Sequence, residues 1–174
     1  MGPAPSGMSG PLRIAVVCLG NICRSPMADV VLESKLADAG LSDVVHVDSA
    51  GTGDWHVGEP MDPRAAAVLT DHGYDPSRHR AQQITPSWFG DHDLILTMDD
   101  ANLDDVTALA RTPQERRLVQ KFRAYDPVAR PGDDEVPDPW YGGPEGFVAV
   151  LRMIERTADA IVERVPSLVS DVTD

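Results

Sequence analysis

The chain predicts an α/β fold: three layers, α/β/α, with a parallel sheet of four strands between helices. Two observations carry this. Short apolar, β-branched runs alternate with helix-like stretches along the 174 residues without any internal repeat, which is the succession of βαβ units. The first run, Leu12 to Val17, is almost wholly apolar, as a strand covered on both faces must be. In such a sheet, functional groups gather at the carboxyl ends of the strands, and this first run leads into Cys18.

After Cys18, Gly20 and Asn21 are the residue types that most easily take left-handed backbone angles. The five residues after the cysteine can therefore curl into a ring of inward N–H groups, an anion nest. Ser25 reads as an N-cap and Pro26 as the first helical residue, opening a helix through Met27, Val30, Val31 and Leu36. Val44 to Ser49 alternates as a second strand. Pro63 to His72 reads as a helix with Asp62 near its start, and Asp93 to Met98 as a third strand followed by a helix from Asp99. Leu118 to Arg123 is the fourth strand. Pro144 to Val165 places Phe147, Val150, Leu151, Ile154, Ala158 and Ile161 on one face of a long amphipathic helix.

The run from Cys18 to Arg24 spaces a thiol and a guanidinium as CxxxxxR. A Walker loop is excluded, because no GxxxxGK[ST] occurs and the only lysines are Lys35 and Lys121. A free thiol titrates near ~8.5 and would be mostly protonated at neutral pH. An effective nucleophile needs a value ~3 lower, roughly 4 kcal/mol of differential stabilisation. A helix N-terminus gives at most ~2 kcal/mol, so loop N–H groups, the Ser25 hydroxyl and the permanent charge of Arg24 must supply the rest. The planar fork of Arg24 also suits two oxygens of a phosphoryl group. A thiolate attacking a phosphate monoester expels a poor leaving group, which requires a general acid. Asp138 is the candidate. It lies in GDDEVPDPWYGG, a Pro- and Gly-rich loop, beside Trp140 and Tyr141, aromatics suited to the wall of a cleft.

These segments resemble a known family. CLGNICRSPMA near the amino terminus, DSAGTGDW in the second quarter and DPWYGG before the last helix are similar, in this order and spacing, to the low-molecular-weight protein tyrosine phosphatases of bacterial type, with HRAQQIT and LTMDDAN also resembling family segments. The resemblance covers Leu12 to about Val165 and implies strand order 2-1-3-4. It implies Cys18 as the nucleophile that forms a phosphocysteine, Arg24 as the phosphoryl binder, and Asp138 as general acid and then general base. Leu19, Gly20, Asn21, Ile22, Cys23 and Ser25 would form the phosphate-binding loop. Ser49 and His79 would buttress Asn21, and Trp55, Trp140 and Tyr141 would flank the substrate's ring. Trp140 stands where many members carry tyrosine, and residues 1–11 have no family counterpart.

Composition fits one enzyme domain, expected over residues 12–166, between a disordered extension (1–11, with Met8 as an alternative start) and a short tail (167–174). A net charge of −13 argues against nucleic acid, and no basic run suggests a membrane surface. No apolar stretch approaches membrane-spanning length and no signal peptide is evident, so a cytoplasmic monomer acting on tyrosine-phosphorylated proteins is expected, without membrane insertion and without cofactor or metal. Asp99, Asp100, Asp104 and Asp105 read as solvated acids at a helix start rather than metal ligands. His56 and His92 read as surface residues and His46 as lying on the outer face of its strand. Cys23 either packs beneath the loop or forms a reversible disulfide with Cys18. Three rival functions stay open: a phosphoarginine phosphatase, disfavoured by the apolar Ile22 at the loop rim; an arsenate reductase, which would need cysteines beyond Cys23; and a phosphate-binding module without turnover.

Overall fold

The structure, a computed structural model, describes residues 11–140 and 143–173. Its centre is a parallel sheet in which β1 (Leu12–Cys18) lies between β2 (Val45–Gly51) and β3 (Leu94–Thr97), with β4 (Val119–Lys121) outside β3, giving the order β2-β1-β3-β4. Alternation along β1 sorts its side chains to two faces. Leu12, Ile14, Val16 and Cys18 join the larger core, with α1 (Arg24–Asp38), α2 (Pro63–Asp71) and α6 (Pro144–Thr173). Ala15 and Val17 join a smaller core with Phe89 of α3 (Trp88–Asp91) and Val106 of α4 (Asp100–Leu109). Cys18 thus ends a strand buried on both sides, on the face that α1 covers.

The elements depart from expectation mostly at their ends. Asp62, expected near the start of α2, proves to be its cap, the carboxylate accepting from the N–H groups of Arg64 and Ala65. α1 begins at Arg24, earlier than the Ser25–Pro26 reading, with Cys23 at the N-cap and no side-chain cap. The reason is that the Ser25 hydroxyl is occupied at Cys18, Asn21 and Ala50, and Pro26 in the first turn gives up only an N–H that has no helical partner anyway. β2 starts and ends later than expected, because its pairing with β1 runs from Leu12↔Val45 to Cys18↔Gly51. β4 keeps only three of the six residues expected of it. The chain then enters a 3-10 turn at Phe122–Tyr125, where Arg123 reaches Asp126 at 2.7 Å.

The short helices α3 and α5 (Pro113–Arg116) carry too little periodicity to be read from sequence. α6 continues to Thr173 rather than ending at Val165, with Leu168 packed in the core, so the helix extends into the segment expected to be a tail. Two histidines also move from their expected places. His92 is buried, its Nε2 2.8 Å from Asp48 Oδ2 and its ring stacked on Trp88. His56 faces a cleft beside the first loop, whereas His46 is exposed as expected.

Candidate active site

Three backbone features shape the loop after β1. Asn21 takes φ 58°, while Gly20 stays at negative φ, so only one of the two expected left-handed positions is used. The β1–β2 ladder continues past the strands, Thr52 N donating to Cys18 O and Gly53 N to Leu19 O. Gly51 is required at this approach, since a Cβ there would lie 2.7 Å from the Leu19 carbonyl oxygen.

The side chain of Asn21 ties the loop to its surroundings. Nδ2 donates to Ser25 Oγ (2.9 Å) and Ser49 Oγ (3.0 Å), and Oδ1 accepts from Gln82 N (2.9 Å). His79 Nε2 donates to the Asn21 carbonyl at 2.6 Å, and burial lowers the pKa of this imidazole, favouring the neutral ring. Cys18 Sγ, buried at the base, accepts from Asn21 N (3.3 Å) and lies 3.0 Å from Ser25 Oγ. A negative sulfur here has both a main-chain and a hydroxyl partner.

Arg24 follows one turn away, its side chain 4% exposed. Nη1 donates to Asp99 Oδ2 (2.6 Å) and the Val136 carbonyl (3.0 Å), and Nη2 lies 3.8 Å from Asp138 Oδ2. Burial opposes its charge, but Cys18, Asp99 and Asp138 outweigh that and keep it protonated. Asp99 is therefore not a solvated acid. It caps α4 through Oδ1, which accepts from Asn102 N, and grips Arg24 through Oδ2. Asp100 beside it pairs with Lys121 instead. Asp99 had one available signal: it follows the carboxyl end of β3, the strand next to β1, where parallel-sheet sites collect.

Asp138 lies across the pocket, partly exposed, with Oδ1 accepting from Trp140 N at 3.0 Å. The cavity between it and the thiol has a volume of about 260 Å³, lined by Cys18, Leu19, Gly20, Ile22, Cys23, Arg24, Trp55, His56, Asp138 and Trp140. Trp55 lies against Gly53, where any Cβ would overlap its ring. His56 was missed as a lining residue; its ring is tilted against Trp140 at 6.2 Å and pairs with Glu59. Tyr141 lies outside the described residues. Cys23 is buried, and burial together with Asp62 and Cys18 pushes its thiol well above the ordinary range. It remains a neutral S–H while Cys18 has the loop's donors. A larger polar cleft of about 610 Å³ lies behind the loop, lined in part by Asp29, Ser49 and His79, but contains no cysteine.

This arrangement can hold a tetrahedral anion over a nucleophilic sulfur, with a carboxyl on the opposite side and two indoles at the mouth. The chain as a whole is similar to known proteins. The profile of the family described as "Low molecular weight phosphotyrosine protein phosphatase" matches residues 13–170. The low molecular weight protein-tyrosine-phosphatase of Streptomyces coelicolor is 46% identical over 153 residues, covering 88% of this chain and 93% of its own. The crystal structure of a protein tyrosine phosphatase from Entamoeba histolytica superposes with a TM-score of 0.84 at 29% identity, covering 90% of this chain and 97% of that one. That of the Drosophila arginine phosphatase DARP gives 0.80 at 31%, covering 88% and 97%. A profile match across nearly the whole described chain, on a sheet of the expected order with a thiol at the end of its central strand, has one reading: the chain belongs to the low-molecular-weight protein tyrosine phosphatase family.

Proposed function

We propose that the protein hydrolyses phosphotyrosine in protein substrates by two displacements at phosphorus. The Cys18 thiolate attacks in line, the P–O bond to the tyrosine oxygen breaks, and Asp138 delivers its proton to that oxygen. Asp138, now a carboxylate, takes a proton from water as the water attacks the phosphocysteine, releasing inorganic phosphate and the thiolate. Arg24 and the loop amides hold the equatorial oxygens in both steps. The observation that carries this reading is convergence: Cys18, Arg24 and Asp138 line one cavity whose mouth is formed by Trp55 and Trp140.

Among substrates, the pocket favours an aromatic ester over a phosphoguanidine. Ile22 at the wall offers apolar contact only, whereas selection of a guanidinium needs a polar partner. No cysteine follows Cys23 in the 174 residues, so the chain lacks the later cysteines that a thiol relay for arsenate reduction would need. Among the described residues no helix is long and apolar enough to cross a membrane. A reducing cytoplasm suits a nucleophilic thiolate, and we place the enzyme there, acting as a monomer. The test is hydrolysis of phosphotyrosine and phosphoarginine peptides by the wild type, Cys18→Ser and Asp138→Ala. Cys18→Ser should lose turnover, and Asp138→Ala should lose it sharply for phenolic esters and far less for activated ones. Preference for phosphoarginine would overturn the substrate assignment; phosphate binding without turnover of either peptide would overturn the enzyme itself.

A further inference from the structure

The acid-bearing loop and the nucleophile loop come from opposite ends of the chain, and besides Arg24, which reaches Val136 and Asp138 directly, a second arginine bridges the space between them. Asp62 N, at the start of α2, donates to the carbonyl of Ile22 in the nucleophile loop at 2.9 Å. The Asp62 carboxylate is buried but kept charged, because bonds from the Arg64 side chain and from the Arg64 and Ala65 N–H groups outweigh desolvation. It holds Arg64 through Nε (3.2 Å) and Nη2 (3.1 Å). The remaining arm of the guanidinium, Nη1, donates to the Trp140 carbonyl at 2.8 Å. Its Cζ lies over two rings, 5.0 Å from the centroid of Trp140 and 4.8 Å from that of Phe147, a residue buried on α6.

Trp140 is the residue through which this reaches the chemistry. Its N–H holds Asp138 Oδ1 at 3.0 Å while its carbonyl is held by Arg64. Both main-chain polar groups of one residue are thus committed, one to the acid and one to the bridge. We propose that Arg64 is a positioning residue for general-acid catalysis, fixing Asp138 against the nucleophile loop through Asp62, Ile22 and Trp140. This rests on the phosphatase reading above and on Asp138 being the acid. Arginine is needed because its planar fork serves two acceptors at a fixed angle while lying over two rings; a lysine ammonium has three donors but, as a compact point charge, no fork that reaches both acceptors at once. The side chain is 43% exposed, so its substitution is expected to cost geometry rather than fold.

The experiment measures kcat/KM for aryl phosphates from p-nitrophenyl to phenyl phosphate, with Arg64→Met, Arg64→Lys, Asp138→Ala and the Arg64→Met/Asp138→Ala double variant. Thermal melting checks the fold, and the inhibition constant of inorganic phosphate checks the nucleophile loop. Arg64→Met should lose about tenfold on phenyl phosphate and little on p-nitrophenyl phosphate, with phosphate inhibition unchanged and no further loss in the Asp138→Ala background. Arg64→Lys should recover only part of the loss. Equal loss across all esters, a loss additive with Asp138→Ala, or weakened phosphate inhibition would overturn the proposal, since each places Arg64 in general stability or in the loop itself. If Arg64→Met does not fold, Arg64→Lys carries the same comparison. If Asp138→Ala shows no leaving-group dependence, the acid assignment fails and the Arg64 role with it. A normal Asp138→Ala defect beside a wild-type-like Arg64→Met overturns Arg64 alone.

Discussion

Replacing Asp99 by asparagine separates two roles that one carboxylate performs. Oδ1 caps α4 at Asn102 N (2.8 Å), and Oδ2 accepts from Arg24 Nη1 at 2.6 Å. Asparagine keeps a capping oxygen but removes the charge, and alanine removes both. A charge-assisted hydrogen bond of this kind contributes about 1.5–3 kcal/mol, and the cap about 1 kcal/mol. With Asp99 neutral, Asp138, already 3.8 Å from Nη2, becomes the stronger acidic partner of Arg24. The guanidinium then leans toward the acid and away from the incoming phosphoryl group. If the lost interaction is felt in full at the transition state, kcat/KM for an aryl phosphate falls about 10–100-fold, and inhibition by inorganic phosphate weakens in parallel. Asp99→Ala should lose a similar amount of activity while melting about 2–4 °C below Asp99→Asn, the cap's share in a chain this size. Wild-type kinetics and phosphate inhibition in Asp99→Asn would refute the account of how Arg24 is aimed.

Two further outcomes concern the frame around the site. Asp126 is buried between Arg123 and Arg156, and although burial raises its pKa, hydrogen bonds from both arginines and from Val128 N hold it well below the usual carboxylate range. The unfolded chain therefore takes up this proton first on acidification, so the stabilisation is complete above ~3.9 and fades as pH drops below it. Asp126→Asn should cost about 3–5 kcal/mol at neutral pH, with the gap to wild type closing in acid; a gap independent of pH in denaturant titrations would contradict this. Asn21→Gly keeps a residue at ease at φ 58° but deletes the side-chain bonds to Ser25, Ser49 and Gln82 N. It should lose on the order of 2–4 kcal/mol, about 5–10 °C in melting temperature. Asn21→Ala, which adds backbone strain, should melt lower still, and an alanine variant more stable than the glycine one would show that the left-handed angle is not what the site requires.

The sheet was legible because β1 is apolar on both faces and each later strand is set off by helix or turn signals. Its order was not, since nothing in β2 or β3 states which edge of β1 it takes; that came from the family resemblance. β4 was overdrawn because Phe122 and Arg123 look like strand residues, and the turn that claims them depends on Asp126 and on the Glu135 carbonyl beyond it. Cys18, Arg24 and Asp138 were legible because their residue types answer a specific chemical demand at telling positions. Asp99 was misread because an acid at a helix start ordinarily faces water, which holds for Asp100. His92 was placed at the surface because a lone histidine carries no sign of the Asp48 that pairs with it. Arg64 left no trace at all: it meets Trp140 through a main-chain carbonyl, 76 residues away, and a carbonyl has no residue type to read.

The wide spacing of the groups that hold the nucleophile loop bears on how the enzyme comes into being. Asn21 is held by partners 28, 58 and 61 residues further along, and Arg24 by partners 75 and 112 residues further along. An excised peptide carrying the cysteine and arginine would therefore lack every one of these restraints. During refolding, long loops must close before the thiol acquires its setting, so the return of catalysis marks a late event in folding rather than an early one. A phosphate ion, binding only the finished loop, acts as a thermodynamic latch on the entire chain.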